Sequence, residues 1–502
     1  MRVSELFGKA GIDYPQSAEN IEISEIVTDS RRVCEGCAFI CINGLSHDGH
    51  EYIGEAISHG ARVIVVEQVH DAGVGGAATI IVENTRRAAA LLYNVWHGSP
   101  AEGMTLVAVT GTNGKTSVSF ILKRIFEVAG YRAGLIGTVR CCVGDREVCA
   151  LGGDPLANMT TPDPAELFAL LKKMKNMGAQ FVFIEATSHA LALSKLDALR
   201  FDTAVVTNLT RDHLDFHGDM ENYLRAKIGV FSLSRRAVIN LDCDYASRFI
   251  EAAGGCEIYT VSKETDADFV AEDIRLLGSE GSSYRLRRGE ESIDMRVRLA
   301  GGFAVDNTLL ASAVALLYGI PSGSVARAVS EMCGIDGRME RVDIGGDDIS
   351  VFIDYAHTPD ALENLLRSAR NMRRAGQRIV LLFGCGGDRD RGKRREMAHI
   401  ASRLADFVIV TSDNSRSESP ERIISDILRG MDKEKEFALI VDRAAAIEYA
   451  ICNSRAGDMI LLAGKGHERY EIDGKGRHPF DEREIAARAY SRLAKMKDRE
   501  GT

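Results

Sequence analysis

Short apolar runs alternate with helical stretches along the first hundred residues of the chain. The runs Ala38–Ile42, Val63–Val66 and Thr79–Val82 have the length and the β-branched content of buried strands. Strands that alternate with helices in this way are typical of an α/β domain. We therefore predict a small α/β domain over residues 1–100, which ends at the linker-like Gly-Ser-Pro of 98–100.

A second block, residues 101–336, begins with the apolar run Met104–Val109, a glycine-rich turn and the helical pattern Ser117–Ala129. Recurring strand-like runs with helical stretches between them predict a mainly parallel sheet that helices cover. These further runs are Phe181–Glu185, Thr203–Thr207 and Ala237–Asn240. A more β-rich segment at about 256–300 is predicted to interrupt the alternation.

The third block, residues 337–502, repeats the alternation and predicts a Rossmann-like domain, although no G-x-G-x-x-G follows its first strand. Helices are predicted at Ala361–Arg373 and Arg394–Leu404, and the charged tail after Ala489 is predicted to be helical or frayed. The predicted strands are Ile349–Asp354, Ile379–Phe383, Phe407–Thr411, Phe437–Ile440 and Met459–Ala463.

Length and charge narrow the class of protein. A chain of 502 residues exceeds what one core holds, which agrees with three domains. The net charge of −10, with both signs interspersed, argues against nucleic-acid binding. The mixed charges of Met1–Tyr14 do not resemble a signal peptide, and Val63–Val66 is too short to cross a bilayer, so we expect a cytoplasmic protein. The eleven scattered cysteines are expected to be reduced, and Cys34 with Cys37 is read as chance rather than a zinc site.

The turn Thr110–Ser117 lies between a predicted strand and a predicted helix and contains Gly-Lys-Thr. Glycines let backbone N–H groups surround phosphate oxygens at a helix N-terminus. In this reading Lys115 reaches the β- and γ-phosphates and Thr116 binds Mg²⁺. The strict Walker spacing would need a glycine where Val109 stands, so an ordinary glycine-rich turn is the alternative.

Polar residues also follow two other strands of the central block. Glu185 ends one strand, where a carboxylate beside a phosphate loop commonly holds the metal, or else partners a helix N-terminus. The loop 208–218 contains two histidines and two aspartates, which allows a second Mg²⁺ site or a hydrogen-bonded loop. Lys227, on a predicted helix, is by itself an ordinary solvated lysine.

Taken together, and in this order, these motifs resemble those of the Mur ligase family. The resemblance covers nearly the whole chain and is strongest to the MurE type, which adds the third amino acid of the cell-wall stem peptide. The first block carries Asp29-Ser30-Arg31 and Asp48-Gly49-His50. The later motifs are Thr-Gly-Thr-Asn-Gly-Lys-Thr at 110–116, Thr160-Thr161-Pro162, Ser188-His189-Ala190-Leu191, Asn208–Gly218, Tyr223–Lys227, Gly337–Arg341, Asp354–Asp360, Phe383–Asp390 and Gly464–Glu468.

The resemblance implies an N-terminal uridine-binding α/β domain, a central P-loop ATPase-like domain and a C-terminal Rossmann-like domain that binds the amino acid. It implies an ATP-dependent ligase that activates a carboxylate of UDP-N-acetylmuramoyl-L-alanyl-D-glutamate as an acyl phosphate, which the amine of meso-2,6-diaminopimelate then attacks. Mg²⁺ is the implied cofactor, ATP is a substrate, and the protein is expected to be a monomer that neither enters a membrane nor binds nucleic acid.

The resemblance also implies roles for individual residues. Lys115, Glu185, His213 and Lys227 are expected to be catalytic, Lys227 as a carbamate, and Thr116, Glu185, His213 and Lys227 are the expected metal ligands. The expected ATP-binding residues are Gly111, Thr112, Asn113, Gly114, Lys115, Thr116, Ser117, Asn307, Arg338 and Asp354. Those for the UDP-muramoyl peptide are Ser30, Thr160, Thr161, Ser188 and Lys195. Those for diaminopimelate are Arg389, Asp413, Asn414, Arg416, Gly464 and Glu468.

Arg416 is the residue that favours diaminopimelate over lysine, because a planar guanidinium suits a second carboxylate. Three departures from the family pattern bear on affinity. Ser415 replaces a proline and removes a φ constraint, so Arg416 is expected to be less preorganised. Ala304 replaces an asparagine near adenine, and Lys195 replaces an arginine. The same reaction with L-lysine, and a nucleotide-binding regulator without catalysis, remain the alternatives.

Overall fold

The computed structural model describes residues 1–44, 47–68, 76–148, 159–374 and 376–500, except for the side chains of 279 and 496–500. These residues form three main sheets and one hairpin. Short 3₁₀ helices occur at Gln16–Ala18, Ser30–Arg32, Gly49–Tyr52, Gly229–Leu233 and Gly278–Glu280. Within this described part of the chain, none of the helices is long and apolar enough to span a bilayer.

The N-terminal sheet has four parallel strands in the order β1-β2-β3-β4. Its strands are β1 Ile26–Val27, β2 Ala38–Ile40, β3 Val63–Val66 and β4 Ala78–Ile81, and its helices are α1 Val3–Ala10, α2 Ile53–Ser58 and α3 Thr85–Trp96. β3 is buried on both faces, as its unbroken Val-Ile-Val-Val run predicts. Asn84 begins α3 by accepting a hydrogen bond from the backbone N–H of Arg87.

The central sheet has eleven strands in the order β15-β14-β13-β12-β11-β10-β5-β9-β6-β7-β8. The strands are β5 Thr105–Thr110, β6 Ala133–Ile136, β7 Cys141–Val143, β8 Arg146–Glu147, β9 Phe181–Glu185, β10 Phe201–Val206, β11 Ser234–Asn240, β12 Glu257–Ser262, β13 Phe269–Leu276, β14 Ser282–Arg288 and β15 Glu291–Val297. The helices are α4 Lys115–Val128, α5 Pro164–Asn176, α6 Ser188–Ala192, α7 Leu214–His217, α8 Met220–Ile228, α9 Ala246–Ala252, α10 Phe303–Leu317 and α11 Ser322–Glu331.

The seven neighbouring strands β13-β12-β11-β10-β5-β9-β6 pair in parallel, and antiparallel strands follow at both edges of the sheet. The β-rich segment 256–300 therefore extends the sheet, because β12 pairs in parallel with both β11 and β13. The predicted interruption of the strand–helix alternation is confirmed, since β12, β13, β14 and β15 follow one another without an α-helix between them. Apolar residues of β5, α4 and α10 pack into one core on one face of this sheet.

The C-terminal sheet has six strands in the order β16-β17-β21-β18-β19-β20, parallel except for β16. The strands are β16 Glu340–Val342, β17 Ser350–Asp354, β18 Ile379–Phe383, β19 Phe407–Val410, β20 Phe437–Leu439 and β21 Met459–Ala463, with the hairpin β22 Tyr470–Asp473 and β23 Gly476–Pro479. The helices are α12 Pro359–Met372, α13 Gly392–Leu404, α14 Pro420–Leu428, α15 Arg443–Cys452 and α16 Glu482–Glu500.

The carboxyl ends of neighbouring parallel strands bring the polar motifs together. In the central sheet β10, β5 and β9 are neighbours, so the loops after Thr110, Glu185 and Val206 meet at one edge. In the C-terminal sheet β17, β21, β18 and β19 do the same for the loops that follow them. Open α/β sheets bind ligands at this edge. Hydrogen bonds join the two edges to each other, which places one cleft between the two sheets.

Candidate active site

The loop between β5 and α4 has the shape of a phosphate cradle. Gly111 and Gly114 take φ values of +144° and +85°, and a side chain at Gly111 would collide with the hydroxyl of Thr207. The N–H of Thr112 donates to the carbonyl of Asn208 at 3.0 Å, and that of Asn113 to the Asn208 side-chain oxygen at 2.9 Å. The loop after β10 therefore holds the loop after β5 in place.

Two lysines meet at this loop. Lys115 donates to the carbonyl oxygens of Gly111 and Thr112 at 2.9 and 2.7 Å, and Lys227 donates to that of Gly111 at 2.8 Å. Lys227 is 1% exposed, and burial, together with the Lys115 cation, lowers its pKa well below the usual value. Burial also lowers the pKa of Lys115. A buried and a half-buried lysine that share one carbonyl acceptor favour an anionic ligand beside them.

Glu185 lies buried at the end of β9 among hydroxyl groups. Its Oε2 accepts hydrogen bonds from the hydroxyls of Thr116 at 3.0 Å and Thr138 at 2.8 Å, and its Oε1 accepts one from the N–H of Thr138 at 3.0 Å. A carboxylate and a hydroxyl are the oxygen ligands that Mg²⁺ prefers, so the residues present fit that ion. In the described ranges no group of three or more His, Cys, Asp and Glu side chains is arranged to hold a metal.

The loop after β10 presents His213 to the cleft. Its backbone lies in the left-handed region at φ +53°, where the N–H donates to Asp212 Oδ1 at 2.8 Å. The His213 ring lies 3.3 Å from the second Asp212 oxygen and meets the His189 ring edge-on at 4.8 Å. His213 is exposed, whereas Glu185 and Lys227 are buried. A strained non-glycine residue in a cleft is a common mark of a functional loop.

Contacts from the C-terminal domain reach the phosphate loop directly. Arg338 donates to the Thr116 hydroxyl at 3.0 Å, with its guanidinium 4.8 Å from the centre of the Tyr355 ring. Asp360 accepts hydrogen bonds from Asn113 Nδ2 at 2.6 Å and from the Thr210 hydroxyl at 3.0 Å. The carboxylate of Asp354 accepts from two backbone N–H groups of its own domain, and burial raises its pKa.

A cleft of about 1300 Å³ lies between the central and C-terminal domains. On the C-terminal side it is lined by several cations, Arg416 and Arg389 among them, and by carboxylates that include those of Asp413 and Glu468. Asn414 Nδ2 donates to Glu468 Oε2 at 2.7 Å, which fixes the orientation of the amide. Gly464, at φ +119°, leaves room for Asp413, whose Oδ2 would lie 2.5 Å from an added Cβ.

Arg416 is anchored on the C-terminal side of the cleft. Its Nη1 donates to the carbonyl of Gly387 at 2.8 Å, and its N–H donates to the carbonyl of Ile472 at 3.1 Å. Its backbone lies at φ +52°, although it is not glycine. Backbone acceptors from two other segments therefore hold Arg416, and the expected effect of Ser415 on its preorganisation stays a prediction.

Comparison with known proteins covers nearly the whole chain. Three family models match it in succession: "Mur ligase family, catalytic domain" at residues 22–105, "Mur ligase middle domain" at 109–315 and "Mur ligase, glutamate ligase domain" at 337–466. The chain belongs to the Mur ligase family. That membership makes it an ATP-dependent ligase with three domains, as the sequence motifs predict.

Two curated relatives of this Mur ligase are each named UDP-N-acetylmuramoyl-L-alanyl-D-glutamate--2,6-diaminopimelate ligase. The protein of Syntrophomonas wolfei is 40% identical and the alignment covers 97% of this chain and 98% of that one. The protein of Clostridioides difficile is 38% identical over 98% and 100% of the two chains. A solved structure of the same name superposes with a TM-score of 0.70 at 30% identity, over 98% of this chain and 100% of that one.

A MurF ligase from Thermotoga maritima, solved in complex with ADP, shares the fold at 17% identity with a TM-score of 0.59. It covers 96% of this chain and 99% of that one. At this identity the likeness concerns the fold of the Mur ligase alone.

The structure of this Mur ligase divides the residues singled out in the sequence into three groups. Thr116, Glu185 and Arg338 meet at the phosphate loop, and so do Gly111, Lys115 and Lys227. Asn307 approaches the same loop, since its Oδ1 would lie 2.6 Å from a Cβ on Gly114. The residues that line the open cleft are Thr160, Thr161, Lys195, His213, Arg389, Asp413, Asn414, Arg416, Gly464 and Glu468.

Ser188 and Ser30 form the third group, and three of the residues that line the cleft make further contacts. Ser188 shares a hydrogen bond of 2.9 Å with His217, and Ser30 begins a 3₁₀ turn in the N-terminal domain that Asp29 caps. Lys195 is buried and lies 2.7 Å from Asp163. Thr160 shares a hydrogen bond of 3.0 Å with Thr138, and the Thr161 hydroxyl donates to the carbonyl of Glu185 at 2.6 Å.

Sequence reasoning missed Thr138 and the role of Asp360. Thr138 follows β6, whose short Ala-Gly-Leu-Ile run gives a weak strand signal, so its place beside Glu185 could not be read from the pattern. Asp360 belongs to the family motif Asp354–Asp360, and the only sequence signal for its role was its position at the start of a predicted helix.

Proposed function

We propose that this Mur ligase uses ATP to join 2,6-diaminopimelate to UDP-N-acetylmuramoyl-L-alanyl-D-glutamate. The relatives near 40% identity carry this name over almost their full length. The observation that carries the choice of amino acid is the anchored guanidinium of Arg416 in one cleft with the carboxylates of Asp413 and Glu468. Diaminopimelate has two carboxylates and two ammonium groups, so it needs a site with both signs of charge.

The activating step is proposed to occur at the phosphate loop. ATP would lie with its phosphates on the loop from Gly111 to Ser117 and against Lys115, with Asn307 beside the base. Arg338 and Asp354 would reach the nucleotide from the C-terminal domain. The peptide carboxylate attacks the γ-phosphorus, the bond from that phosphorus to the bridging oxygen of ADP breaks, and an acyl phosphate results. Cations that neutralise the phosphoryl oxygens lower the barrier to this transfer.

We propose Mg²⁺ as the cofactor, held by Thr116 and Glu185 with His213 and a modified Lys227. When bound, it would neutralise phosphate charge and fix the orientation of the γ-phosphate. The buried position of Glu185 among hydroxyl donors supports its part in this set. The side chain of Thr116 accepts from Arg338 at the same time, which would couple domain closure to the completed site.

We further propose that Lys227 carries a carbamate. The Lys227 ammonium first loses one proton to give the neutral amine. The amine nitrogen then adds to the carbon of carbon dioxide, a C–N bond forms, one C=O π bond opens to a carboxylate oxygen, and the nitrogen releases a second proton, so a cation becomes an anion. The support is that two ammonium groups, those of Lys115 and Lys227, approach the same carbonyl in a buried place. Converting one of them removes that repulsion and supplies an oxygen ligand for a metal.

The second step needs the acyl phosphate and the amine in one place. The amine nitrogen attacks the acyl carbon, a C–N bond forms, the C–O bond to phosphate breaks, and the surplus proton leaves with solvent or with phosphate. Asp413, Asn414, Gly464 and Glu468 would hold the reacting end of diaminopimelate, and Arg389 and Arg416 its carboxylates. Burial, and then the Asp413 carboxylate, raises the pKa of Glu468.

The muramoyl peptide is proposed to reach from Ser30 in the N-terminal domain to Thr160, Thr161, Ser188 and Lys195 in the central one. We propose that the three domains comprise residues 1–100, 101–336 and 337–502. The proposed setting is the cytoplasm, where a monomer would serve peptidoglycan synthesis and hence cell shape and cell division.

Phosphate release tests the proposal. Purified protein with Mg²⁺, ATP and the UDP-muramoyl dipeptide is assayed with meso-diaminopimelate and with L-lysine, for the native chain, for Arg416→Ala and for Arg429→Ala. Arg429 lines the same cleft but is exposed and pairs with Asp426, so it serves as the matched control. We expect turnover with diaminopimelate for the native chain and for Arg429→Ala, and no turnover for Arg416→Ala. A preference for lysine would overturn the choice of amino acid, and no turnover with either would favour a regulator.

A further inference from the structure

Arg443 is a fully buried arginine behind the amino-acid side of the cleft, and the mechanism proposed above does not use it. It is the first residue of α15 and its side chain is 0% exposed. Its three nitrogens have three different acceptors: Nε donates to Glu482 Oε1 at 2.8 Å, Nη1 to the carbonyl of Ser412 at 3.1 Å and Nη2 to that of Ala463 at 2.9 Å.

Fold stability alone does not account for this arginine. A cation at a helix N-terminus opposes the helix dipole, and Arg443 stands at the first position of α15. Burying an ion pair costs desolvation free energy, and apolar residues of similar volume often serve stability as well or better. The pair of Arg443 with Glu482, each side chain 0% exposed, therefore indicates a requirement other than stability.

The two carbonyls that Arg443 binds belong to strand ends that are not neighbours. Ser412 follows β19 and Ala463 ends β21, and β18 lies between these two strands in the sheet. The ladder hydrogen bonds join each of the two strands to β18 rather than to each other. Arg443 thus spans the end of β18 and connects β19 directly to β21. A rigid, planar fork of donors suits such a bridge better than a lysine.

Both strand ends lead at once into the proposed amino-acid subsite. Asp413 and Asn414 follow Ser412, and Gly464 follows Ala463. The separation of the two segments is tight, because an added Cβ on Gly464 would lie 2.5 Å from Asp413 Oδ2 and 4.0 Å from Arg443 Nη2. A shift between the strand ends would change the distance from Asp413 and Asn414 to Glu468, which belongs to the second segment.

Lys465 reinforces the same connection from the other side. It is 0% exposed, and its Nζ donates to Asn414 Oδ1 and to the carbonyl of Tyr470, both at 2.9 Å. Asn414 in turn donates to Glu468. Buried polar groups that are fully paired in this way fix one geometry.

We propose that Arg443 is a positioning residue for the amino-acid subsite, which it sets by tying the end of β19 to the end of β21. The identity of the amino acid rests on the function proposed above, whereas the coupling of the two strand ends does not. Arg443 acts through Asp413 and Gly464 and has no contact with the reacting atoms in this scheme.

The test compares two double variants of the full-length ligase. Arg443→Met with Glu482→Gln removes the pair without leaving one charge buried alone. Arg378→Met with Asp458→Asn removes a second ion pair, joined at 2.6 Å, at the opposite ends of β18 and β21. Thermal unfolding and the kinetic constants for amino acid, ATP and muramoyl peptide are measured for both, and Arg443→Lys is added as the conservative variant.

We expect the Arg443 double variant to remain folded, with KM for the amino acid raised at least about tenfold and KM for ATP within about twofold of the native value, as loss of one coupling interaction predicts. Arg443→Lys should recover part of this loss, and the Arg378 double variant should keep the native KM values. Equal effects of the two double variants, or a fall in kcat with all KM values unchanged, would overturn the proposal. A native protein without turnover would instead overturn the proposed function, which keeps the two failures apart.

Discussion

The ammonium nitrogens of Lys115 and Lys227 both donate to one acceptor, the carbonyl oxygen of Gly111, at 2.9 and 2.8 Å. One lysine begins α4 and the other lies in the last turn of α8, so two separate elements deliver positive charge to the same buried point. Such an arrangement is costly unless an anion binds there or one of the amines changes its charge.

Substitutions at Lys227 separate these possibilities. We expect Lys227→Glu to retain more turnover than Lys227→Arg, because glutamate supplies the carboxylate that a carbamate would supply and arginine keeps the repulsive cation. Loss of a charge-stabilising group at a phosphoryl-transfer site costs about 10²–10³-fold in kcat. Steady-state phosphate release measures this, and an arginine variant as active as the native protein would exclude the carbamate.

Glu185 should control the response to Mg²⁺. We expect Glu185→Gln to raise the Mg²⁺ concentration at half-maximal activity by at least about tenfold, since an amide is a weaker ligand than a carboxylate and the Thr116 and Thr138 hydroxyls lose a charged acceptor. A Mg²⁺ titration after chelator treatment measures the shift. An unchanged titration curve with reduced kcat would show that Glu185 acts elsewhere than at the metal.

Asp360 provides a contact that closes the C-terminal domain onto the phosphate loop. Its carboxylate accepts from Asn113 and Thr210, and a hydrogen bond to a charged group contributes about 1.5–3 kcal/mol. We expect Asp360→Ala to raise KM for ATP and to increase the radius of gyration with ATP and amino acid present. Small-angle X-ray scattering tests this. Thr210→Val, which removes one of the two bonds, should give an intermediate effect, and identical scattering curves would exclude a closing role.

The sequence pattern predicted the buried parallel strands well and the edges poorly. Phe181–Glu185, Ile379–Phe383 and Met459–Ala463 were predicted at the bounds that the structure has, because a strand buried on both faces is an unbroken apolar run. β7 and β8 were missed because they are short strands at one edge of the sheet, and β6 was missed although it is buried and parallel, because its four-residue Ala-Gly-Leu-Ile run gives a weak strand signal. The family motifs placed the loops at strand ends, where parallel strands bring them together.

Pairings across long sequence separations could not be predicted. The sequence gives no signal for Arg443 and Glu482, because each resembles an ordinary exposed charge at a helix start until the fold buries both. Their role depends on strand order, which places β18 between β19 and β21. Local motifs contain the residues of the proposed chemistry, whereas the buried residues that position them can be identified only from the strand order.

Acid should destabilise the C-terminal domain through Glu418. Hydrogen bonds from the fully buried Arg394, and then from the N–H of Asp388, lower the pKa of Glu418 from an ordinary value of 4.5 to about 2. A carboxyl whose pKa folding lowers stabilises the folded state above the ordinary value, and that contribution is lost as the pH falls from 4.5 towards about 2.

The melting temperature of Glu418→Gln should therefore lie below that of the native protein at neutral pH, and the difference should shrink as the pH falls through this window. Calorimetry at a series of pH values measures it. Glu436→Gln, at an exposed position in the same domain, serves as the control. A difference that is independent of pH would show that Glu418 contributes by packing rather than by its charge.

One edge of the eleven-stranded central sheet is β15. Its outward backbone N–H and C=O groups have no further strand to pair with among the described residues. Such an edge is a template for self-association in concentrated solution. Asp294 and Arg296 project as exposed charges from one face of this strand, and they alternate with Met295 and Val297 on the buried face. Charged edge residues discourage strand addition, so this ligase can carry a sheet of eleven strands and still resist association through that edge.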